Sequence, residues 1–318
     1  MEKISFVIPV YNSEKSIALT VSEIKKVMNN SLTDYRHEII LINDGSRDNS
    51  DSVCRELVEK YKNMKYICLA RNFGQHNAVL AGFNAADGDY LISMDDDLQL
   101  MPEDTELLLR KMKTDNLDVV YGNYRSKKHG VFRNLSTRIN QKMGEILLDK
   151  PEDIQLTSFY IVRKYVADEI RQYRGPFPYM GGLVLRTTGK IGSVEVRHRE
   201  RKYGSSNYTL KKLFGLWLNG FTNFSVKPLR FIAFTGVVSF VVSMIFMVFL
   251  LVKKWINPDI PVGWTSIILS VFAFGSLQLA ATGFVGEYVG RVFMNINRNP
   301  QYVVRDFMVS GVDDEQKK

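Results

Sequence analysis

Residues 89–97 read DYLISMDDD, an apolar segment that ends in three consecutive aspartates. Four other apolar segments resemble it, namely ISFVIPV (4–10), HEIILIND (37–44), MKYICLA (64–70) and LDVVYG (117–122). Nearly continuous apolar runs of this length are typical of strands buried on both faces, as in parallel sheets. The sequence therefore predicts five buried strands in the first 122 residues.

Segments with helical periodicity separate these strands, at 16–28, 51–62, 76–86 and 102–114. The last begins with Pro102 and has acidic residues in its first turn, which is a strong helix-start signal. This alternation of strands and helices predicts an α/β domain with a mostly parallel sheet. In such sheets the ligand binds beyond the carboxyl ends of the strands, where residues 95–97 lie.

The composition excludes several classes of protein. The 318 residues include 45% hydrophobic and 24% charged residues, which excludes a disordered, collagen-like or coiled-coil chain. Two cysteines, Cys54 and Cys68, are too few for a disulfide framework or a cysteine-rich zinc site. The net charge of +8 suits an anionic membrane surface. We expect no nucleic-acid partner, because the soluble part has no basic stripe interleaved with aromatic residues.

Two long segments, 231–252 and 262–286, contain no charged residue. Each is long enough to cross a bilayer as a helix, so we predict a two-helix transmembrane hairpin over 231–286. Lysine and arginine set its orientation, since they concentrate on the cytoplasmic side. The loop between the segments has only Lys253 and Lys254. The flanks carry Lys211, Lys212, Lys227, Arg230, Arg291, Arg298 and Arg305.

This charge distribution predicts that both termini are cytoplasmic, with a catalytic domain at 1–208 and a C-terminal tail at 287–318. The beginning of the chain, MEKISFVIPV, does not resemble a signal peptide. Residues 209–230 have apolar side chains at steps of three and four, which indicates an amphipathic helix. We interpret it as an interfacial helix on the membrane, with a core-packing helix as the alternative.

The three aspartates at 95–97 point to a metal site. Because side chains alternate along a strand, Asp95 and Asp97 should face one side and Asp96 the other. A divalent cation would relieve the repulsion between the two carboxylates, and Mg²⁺ or Mn²⁺ binds such oxygens together with substrate phosphates. The alternative is a solvated acidic turn. The sequence has no P-loop, no GxGxxG and no GxSxG motif, and its four histidines lack metal-ligand spacing.

Six segments in order closely resemble family 2 glycosyltransferases with a GT-A (Rossmann-like) fold. The resemblance is greatest to the polyprenyl-phosphate branch, which includes dolichol-phosphate mannose synthases and undecaprenyl-phosphate sugar transferases. The segments are SFVIPVYNSE, EIILINDGSRDNS, LARNFGQHNAVLAGFNAADGDYLISMDDDLQLMPE, ERKYGSSNYTLKKL, NFSVKPLR and GFVGEYVGRVFMNINRNPQYVV. The fold class that this implies is α/β of GT-A type, followed by two transmembrane helices.

The resemblance implies roles for individual residues. Asp95 and Asp97 match the DxD pair that binds the metal and the diphosphate, with Gln99 as a further ligand and Asp96 between them. The resemblance also implies that Asp95, Asp96 and Gln99 contact the nucleotide sugar. The residues matching nucleotide-sugar contacts are Pro9, Tyr11, Asp44, Gly45, Ser46, Gly204 and Tyr208. The residues matching catalytic and phosphate-binding positions are Asp97, Arg125, Arg133, Arg201 and Ser206.

Two positions depart from the family pattern. Where relatives read YNE, this chain has Ser13 and then Glu14, which affects one expected nucleotide contact. Where many relatives carry a proposed catalytic aspartate, this chain has Ser158, and Asp153 lies upstream. A phosphomonoester is already largely dianionic at pH 7, so the acceptor can serve as its own nucleophile. We therefore expect Ser158→Ala and Asp153→Asn to be tolerated.

The resulting functional hypothesis is a metal-dependent, inverting sugar transfer from a nucleotide sugar, UDP-linked, to undecaprenyl phosphate in cell-envelope synthesis. The enzyme would be a multi-pass protein of the bacterial inner membrane, in contact with membrane lipids and assembled as a homo-oligomer. A processive polysaccharide synthase is disfavoured, because no tryptophan follows an arginine as in QxxRW. The remaining alternative is a non-catalytic scaffold or lipid-translocation partner with the same fold.

Overall fold

A computed structural model describes residues 1–123, 151, 154–175, 177–197, 263–296 and 300–311, with separate helical positions between 232 and 256. The chain divides into two compact units. The first comprises Met1–Leu210 with Arg298–Lys318, and the second is Lys211–Asn297.

The described part of the first unit contains one eight-stranded sheet and its helices. The strands are β1 (Lys3–Val10), β2 (Arg36–Asn43), β3 (Met64–Leu69), β4 (Tyr90–Ser93), β5 (Val119–Asn123), β6 (Tyr160–Arg163), β7 (Ile191–Glu195) and β8 (Val304–Val309). The helices are α1 (Ile17–Asn30), α2 (Ser50–Lys60), α3 (Gln75–Ala85), α4 (Thr105–Thr114), α5 (Lys164–Arg171) and α6 (Met180–Thr187), with a 3-10 turn at Pro102–Asp104.

The strand order is β7-β5-β6-β4-β1-β2-β3-β8. β1 pairs in parallel with β2 and β4, β2 with β3, and β5 with β7. β6 is antiparallel to β4 and β5, and β8 is antiparallel to β3. The predicted α/β domain with a mostly parallel sheet is therefore confirmed, and all five predicted strands are present.

The core lies between the central strands and the helices on both faces. Phe6, Val7 and Ile8 of β1 are fully buried, as expected for a strand covered on both sides. Gly82 lets α3 approach the sheet closely. A Cβ atom at this position would lie 2.3 Å from Val7 and 2.7 Å from Ile42, so only glycine allows this packing. Hydrophobic contact with two strands thus fixes the position of α3.

The structure differs from the sequence predictions at the end of β4. The strand was predicted to extend through the aspartates to residue 97, but it ends at Ser93. One further backbone hydrogen bond, from the Met94 N–H to the Val7 carbonyl at 3.2 Å, follows it. The three aspartates therefore lie in the loop that follows β4 and are not part of the strand.

Three strands, β6, β7 and β8, were not predicted from the sequence. β8 lies in the segment that was predicted only as a tail, and it covers the edge of β3. The Ala70 N–H donates to the Val303 carbonyl at 2.9 Å, and Arg55 of α2 forms an ion pair with Asp306 at 2.6 Å. β8 thus protects an edge that would otherwise expose unpaired backbone groups.

In the second unit one long helix, α7 (Trp264–Ile296), contains most of the predicted second span and continues beyond its predicted end at 286. Ile267, Val271 and Phe274 expose half or more of their side chains. Among the residues described, no helix meets the length and hydropathy needed to cross a membrane. The two transmembrane helices stay a prediction. The interfacial helix predicted at 209–230 and the boundary at 208 lie outside the described residues.

Candidate functional site

The loops after β1, β2 and β4 meet at one edge of the sheet. Val10 pairs with Asn43 and Val7 with Ser93, so these parallel strands end close together. This is the edge at which open α/β sheets bind ligands. Most of the predicted site residues that the structure describes lie here.

The loops after β1 and β2 are joined by hydrogen bonds. The Asn12 N–H donates to Ser46 Oγ at 3.0 Å, and the Arg47 N–H donates to Asn12 Oδ1 at 2.8 Å. Asn12 has a φ of 55°, a left-handed conformation that asparagine tolerates better than most residues. Ser46, which was predicted to contact the nucleotide, therefore helps to hold the loops after β1 and β2 together.

Glu14 has a structural role at its displaced position. The Glu14 N–H donates to Asp48 Oδ2 at 3.1 Å, and the Asn49 N–H donates to Glu14 Oε2 at 3.0 Å. This carboxylate therefore lies at the start of α2, where the helix presents free N–H groups. Glu14 thus joins the loop after β1 to the start of α2.

Asp44 shapes the loop that follows β3. It is 3% exposed and accepts hydrogen bonds from the N–H groups of Phe73 at 2.7 Å and Gly74 at 2.9 Å. Burial raises the pKa of Asp44 to about 6, although these two hydrogen bonds act in the opposite direction. Gly45 has a φ of +66°, and a Cβ there would lie 2.5 Å from the Arg71 backbone. The two loops are therefore in direct contact.

Pro9 and Tyr11 flank the end of β1. Pro9 is buried inside the strand, opposite Ile42. The Tyr11 N–H donates to Asp96 Oδ2 at 3.3 Å. The structure thus places Pro9, Tyr11, Asp44, Gly45 and Ser46 at one edge, and their contact with a nucleotide stays a prediction.

Asp96 turns towards the β1 loop, whereas Asp95 turns away from it. Burial is the largest cause that raises the pKa of Asp96 to about 7, and the neighbouring charges of Asp95 and Asp97 act in the same direction. Asp97 Oδ1 accepts the Gln99 N–H at 3.0 Å, across Leu98 with its φ of 58°. Gln99 therefore contacts the acidic run through its backbone.

Asp95 is held by two neutral donors. Gln75 Nε2 at the start of α3 donates to its Oδ1 at 2.7 Å, and Ser158 Oγ donates to its Oδ2 at 2.5 Å. Hydrogen bonds to a carboxylate favour its charged form. Ser158 lies just before β6, at the position where many family 2 sequences have aspartate. A carboxylate there would instead repel Asp95.

The acidic run fits a divalent cation that is shared with a substrate. In the described part of the chain no three His, Cys, Asp or Glu side chains cluster as a protein-only metal cage requires. Mg²⁺ commonly uses only one or two carboxylates together with substrate phosphates. Asp95 and Asp97 offer that number, and Gln75 and Ser158 orient one of them.

A cavity of about 250 Å³ lies beside Asp95, and Gln75 and Ser158 both line it. His76 is also in its wall and packs edge-on against Tyr179, with ring centroids 5.2 Å apart. Burial lowers the pKa of His76 to about 4, so the imidazole is neutral at pH 7. Gln75 and His76 are site residues for which no role was predicted, although both lie in the segment that begins LARNFGQHNA and resembles the family.

Arg197, which follows β7, is anchored to the turn before α4. The Arg197 backbone N–H donates to Asp104 Oδ2 at 2.7 Å, and its guanidinium Nε and Nη2 both donate to Asp104 Oδ1, at 3.0 and 2.8 Å. Asp104 is 1% exposed, in the turn before α4. Several predicted site residues lie outside the described residues, namely Arg125, Arg133, Asp153, Arg201, Gly204, Ser206 and Tyr208.

Comparison with known proteins gives three relevant similarities. Residues 5–171 match the family described as Glycosyl transferase family 2. The chain is 31% identical over 303 residues to "Uncharacterized glycosyltransferase YkcC" of Bacillus subtilis (strain 168), covering 95% of this chain and 93% of that protein. It is also 31% identical over 312 residues to "Undecaprenyl-phosphate 4-deoxy-4-formamido-L-arabinose transferase" of Proteus mirabilis (strain HI4320), covering 96% and 94%.

A solved structure shares the fold. Glucosyl-3-phosphoglycerate synthase from Mycobacterium tuberculosis, in complex with Mn²⁺, uridine diphosphate and phosphoglyceric acid, superposes with a TM-score of 0.50. The match covers 67% of this chain and 74% of that chain, at 18% identity. At this identity the similarity concerns the fold alone. It agrees with the α/β fold of GT-A type that the sequence predicted.

Proposed function

Because the chain belongs to glycosyl transferase family 2, we propose that it transfers a sugar from a UDP-linked donor to undecaprenyl phosphate, with inversion at the anomeric carbon. The observation that carries this proposal is Asp95, held by Gln75 and Ser158 at the ligand-binding edge of the sheet. The name of the Proteus mirabilis relative supports the acceptor, since that protein is named as an undecaprenyl-phosphate transferase.

Asp95 and Asp97 would hold Mg²⁺ or Mn²⁺ together with the donor diphosphate, with Gln99 as a further ligand. When bound, such an ion compensates negative charge on the departing diphosphate. The contribution of this chain is to fix the orientation of the Asp95 carboxylate, through one amide and one hydroxyl donor. Asp96 would support the site from the opposite side, because its carboxylate holds the Tyr11 backbone.

The remaining predicted residues would complete the site. Pro9, Tyr11, Asp44, Gly45 and Ser46 border the edge at which a nucleotide would lie, and their loops are already cross-linked by hydrogen bonds. Such pre-organisation lowers the entropy that binding must overcome. The arginines and polar residues proposed to contact phosphates and the donor are Arg125, Arg133, Arg201, Gly204, Ser206 and Tyr208.

In the reaction, an oxygen of the lipid phosphate attacks the anomeric carbon of the sugar. A carbon–oxygen bond to the acceptor forms as the bond to the diphosphate oxygen breaks, and UDP leaves with the electron pair. The acceptor needs no protein base, since its phosphate is largely dianionic at pH 7. This agrees with Ser158, whose hydroxyl donates to Asp95 and so serves as an orienting group.

The same proposal covers the location of the enzyme. The charge-free segments 231–252 and 262–286 would form a membrane hairpin, with 209–230 on the surface and residues 1–208 and 287–318 in the cytoplasm. This arrangement would bring the soluble unit to a lipid-linked acceptor in the bacterial inner membrane, where copies of the chain would assemble as homo-oligomers.

The decisive experiment is a transfer assay in membranes that contain undecaprenyl phosphate, a panel of radiolabelled UDP-sugars and Mn²⁺ or Mg²⁺. We expect label in the lipid extract with the intact chain and a loss of at least about 100-fold with Asp95→Asn. Exposed Glu56→Gln on α2 serves as the control for removing one carboxylate. Binding of UDP-sugar without transfer to undecaprenyl phosphate would instead favour a non-catalytic scaffold.

A further inference from the structure

Asp44 holds the turn from which helix α3 begins. Its two carboxylate oxygens accept hydrogen bonds from consecutive backbone N–H groups, that of Phe73 at 2.7 Å and that of Gly74 at 2.9 Å. The Asp44 N–H in turn donates to the Val10 carbonyl at 2.9 Å, so the residue is also tied to β1. The Asp44 carboxylate therefore fixes the turn at Phe73 and Gly74 relative to the central strands.

Gly74 gives this turn its shape. It has a φ of 91° and a ψ of 152°, a backbone conformation that is almost exclusive to glycine. Its carbonyl accepts the N–H groups of Asn77 at 3.0 Å and Ala78 at 3.1 Å, so Gly74 is the N-cap residue of α3. A Cβ atom at Gly74 would meet nothing within 4 Å. The backbone conformation, and not a lack of space, therefore requires glycine at this position.

The next residue along the chain, Gln75, contacts the acidic loop. Gln75 is the first residue of α3, and its Nε2 donates to Asp95 Oδ1 at 2.7 Å. The place from which this side chain extends is set by the backbone at Gly74. The body of α3 cannot compensate for a change there, because at Gly82 it packs directly against β1 and β2. The turn before α3 therefore decides whether Gln75 reaches Asp95.

We propose that Asp44 and Gly74 are positioning residues for Asp95, which they orient through the Gln75 side chain. This inference rests on the proposed function, in which Asp95 binds the metal together with the donor diphosphate. It adds a coupling between the loop after β2, which is predicted to contact the nucleotide, and that carboxylate. A carboxylate whose orientation is already fixed loses less side-chain entropy when it binds. The turn before α3 thus strengthens metal-dependent binding, although none of its residues is a metal ligand.

The ratio of UDP affinities with and without Mn²⁺ separates this role from other roles. Calorimetry on the purified full-length protein gives the UDP affinity in Mn²⁺ and in EDTA, and their ratio is the Mn²⁺-dependent gain. A residue that only contacts the nucleotide base changes both affinities by the same factor. Partial unfolding lowers the fraction of protein that binds and leaves the ratio unchanged. A residue that orients Asp95 lowers the ratio itself.

Two variants perturb the turn by different means. Asp44→Asn places an amide donor against one of the two backbone N–H groups, and Gly74→Ala puts a side chain on a backbone conformation that disfavours it. Gln75→Ala, which removes the hydrogen bond to Asp95, should lower the Mn²⁺-dependent gain about tenfold, and each turn variant should lower it at least about threefold. Gly311→Ala is the matched control, because Gly311 also has a positive φ and open space around it. It should keep the wild-type ratio.

Double variants decide whether the effect passes through Gln75. When Gln75→Ala is already present, adding Gly74→Ala or Asp44→Asn should lower the gain by less than about twofold, because the hydrogen bond that the turn positions is gone. If the turn variants keep the wild-type ratio, or if the losses multiply in the double variants, the inference is wrong and the proposed function stands. If Mn²⁺ does not strengthen UDP binding to the wild type, the metal site of the proposed function fails as well.

Discussion

The Ser158 hydroxyl donates a 2.5 Å hydrogen bond to the Asp95 carboxylate, joining residues 63 positions apart in the chain. From the sequence alone, Ser158 is only the position where a catalytic base is missing, and Ser158→Ala is expected to be tolerated. The contact changes that expectation, because Asp95 would lose one of the two neutral donors that orient it.

We now expect Ser158→Ala to weaken Mn²⁺-dependent UDP binding about tenfold, since hydrogen bonds to charged groups contribute about 1.5–3 kcal/mol. Ser158→Asp should be worse, because a second carboxylate would repel Asp95. Ser193→Ala on β7 is the matched control. Calorimetric titration of UDP at fixed Mn²⁺ measures the UDP affinities of the wild type and the three variants. Equal affinities for all four proteins would mean that the contact between Ser158 and Asp95 does not orient a binding group.

Asp97→Ala is expected to abolish transfer and to weaken donor binding, because loss of a metal ligand leaves diphosphate charge uncompensated, an effect of several kcal/mol. Asp96→Ala should affect folding more than chemistry, since the half-buried Asp96 carboxylate accepts the Tyr11 N–H. Transfer rates and thermal midpoints of both variants separate these effects. If the Asp97→Ala variant kept full transfer activity, the acidic run at 95–97 would be only a solvated turn.

His76 gives a pH dependence of stability. Its pKa is about 4 in the folded protein, below the ordinary 6.5, because burial disfavours the charged imidazolium. Between pH 6.5 and 4 the unfolded chain therefore binds more protons, and stability falls as pH falls through this window. Asp44, whose pKa is raised to about 6, acts in the opposite direction.

We expect wild type to lose more thermal stability than His76→Gln between pH 7 and 4.5, with Asp44 present in both proteins and so cancelling from the difference. Thermal unfolding followed by circular dichroism at several pH values measures this. If the thermal midpoints of the two proteins changed equally with pH, His76 would titrate in the folded protein as it does in the unfolded chain.

β8 is expected to be required for a stable catalytic unit. Ending the chain at residue 299 removes β8 and exposes the edge of β3, which should lower the thermal midpoint and promote aggregation. Asp306→Ala, which breaks a half-buried ion pair with Arg55, should lower the free energy of unfolding by at most about 1 kcal/mol. Ending the chain at 311 is the control. Unchanged size-exclusion and melting profiles after ending at 299 would contradict the prediction.

Membrane topology can be tested with single cysteines. We expect a membrane-impermeant maleimide to label Asp259→Cys from outside intact cells, but not exposed Lys62→Cys or a cysteine at 315. Native Cys54 and Cys68 are buried, so background labelling should be low. Position 10 would be unsuitable, because Val10 is fully buried in β1. Labelling of Lys62→Cys or of the cysteine at 315 from outside would contradict the proposed orientation.

The sequence by itself determined the central sheet and its ligand-binding edge. Apolar runs such as 4–10 and 37–44 are typical of strands covered on both faces, and the helical segments between them are typical of parallel crossovers. Local patterns carry this information. The acidic run was found for the same reason, since it directly follows such a strand.

The tertiary structure alone decided which residues meet there. Ser158, Gln75 and Tyr121 are far apart in the chain, and no local pattern in their segments indicates that they line one cavity. Their meeting beside Asp95 depends on β6 entering the sheet antiparallel between β4 and β5. β8 likewise returns to β3 after the whole second unit. Short strands of four to six residues carry little periodic signal, and their partners are set by long-range packing that no local pattern records.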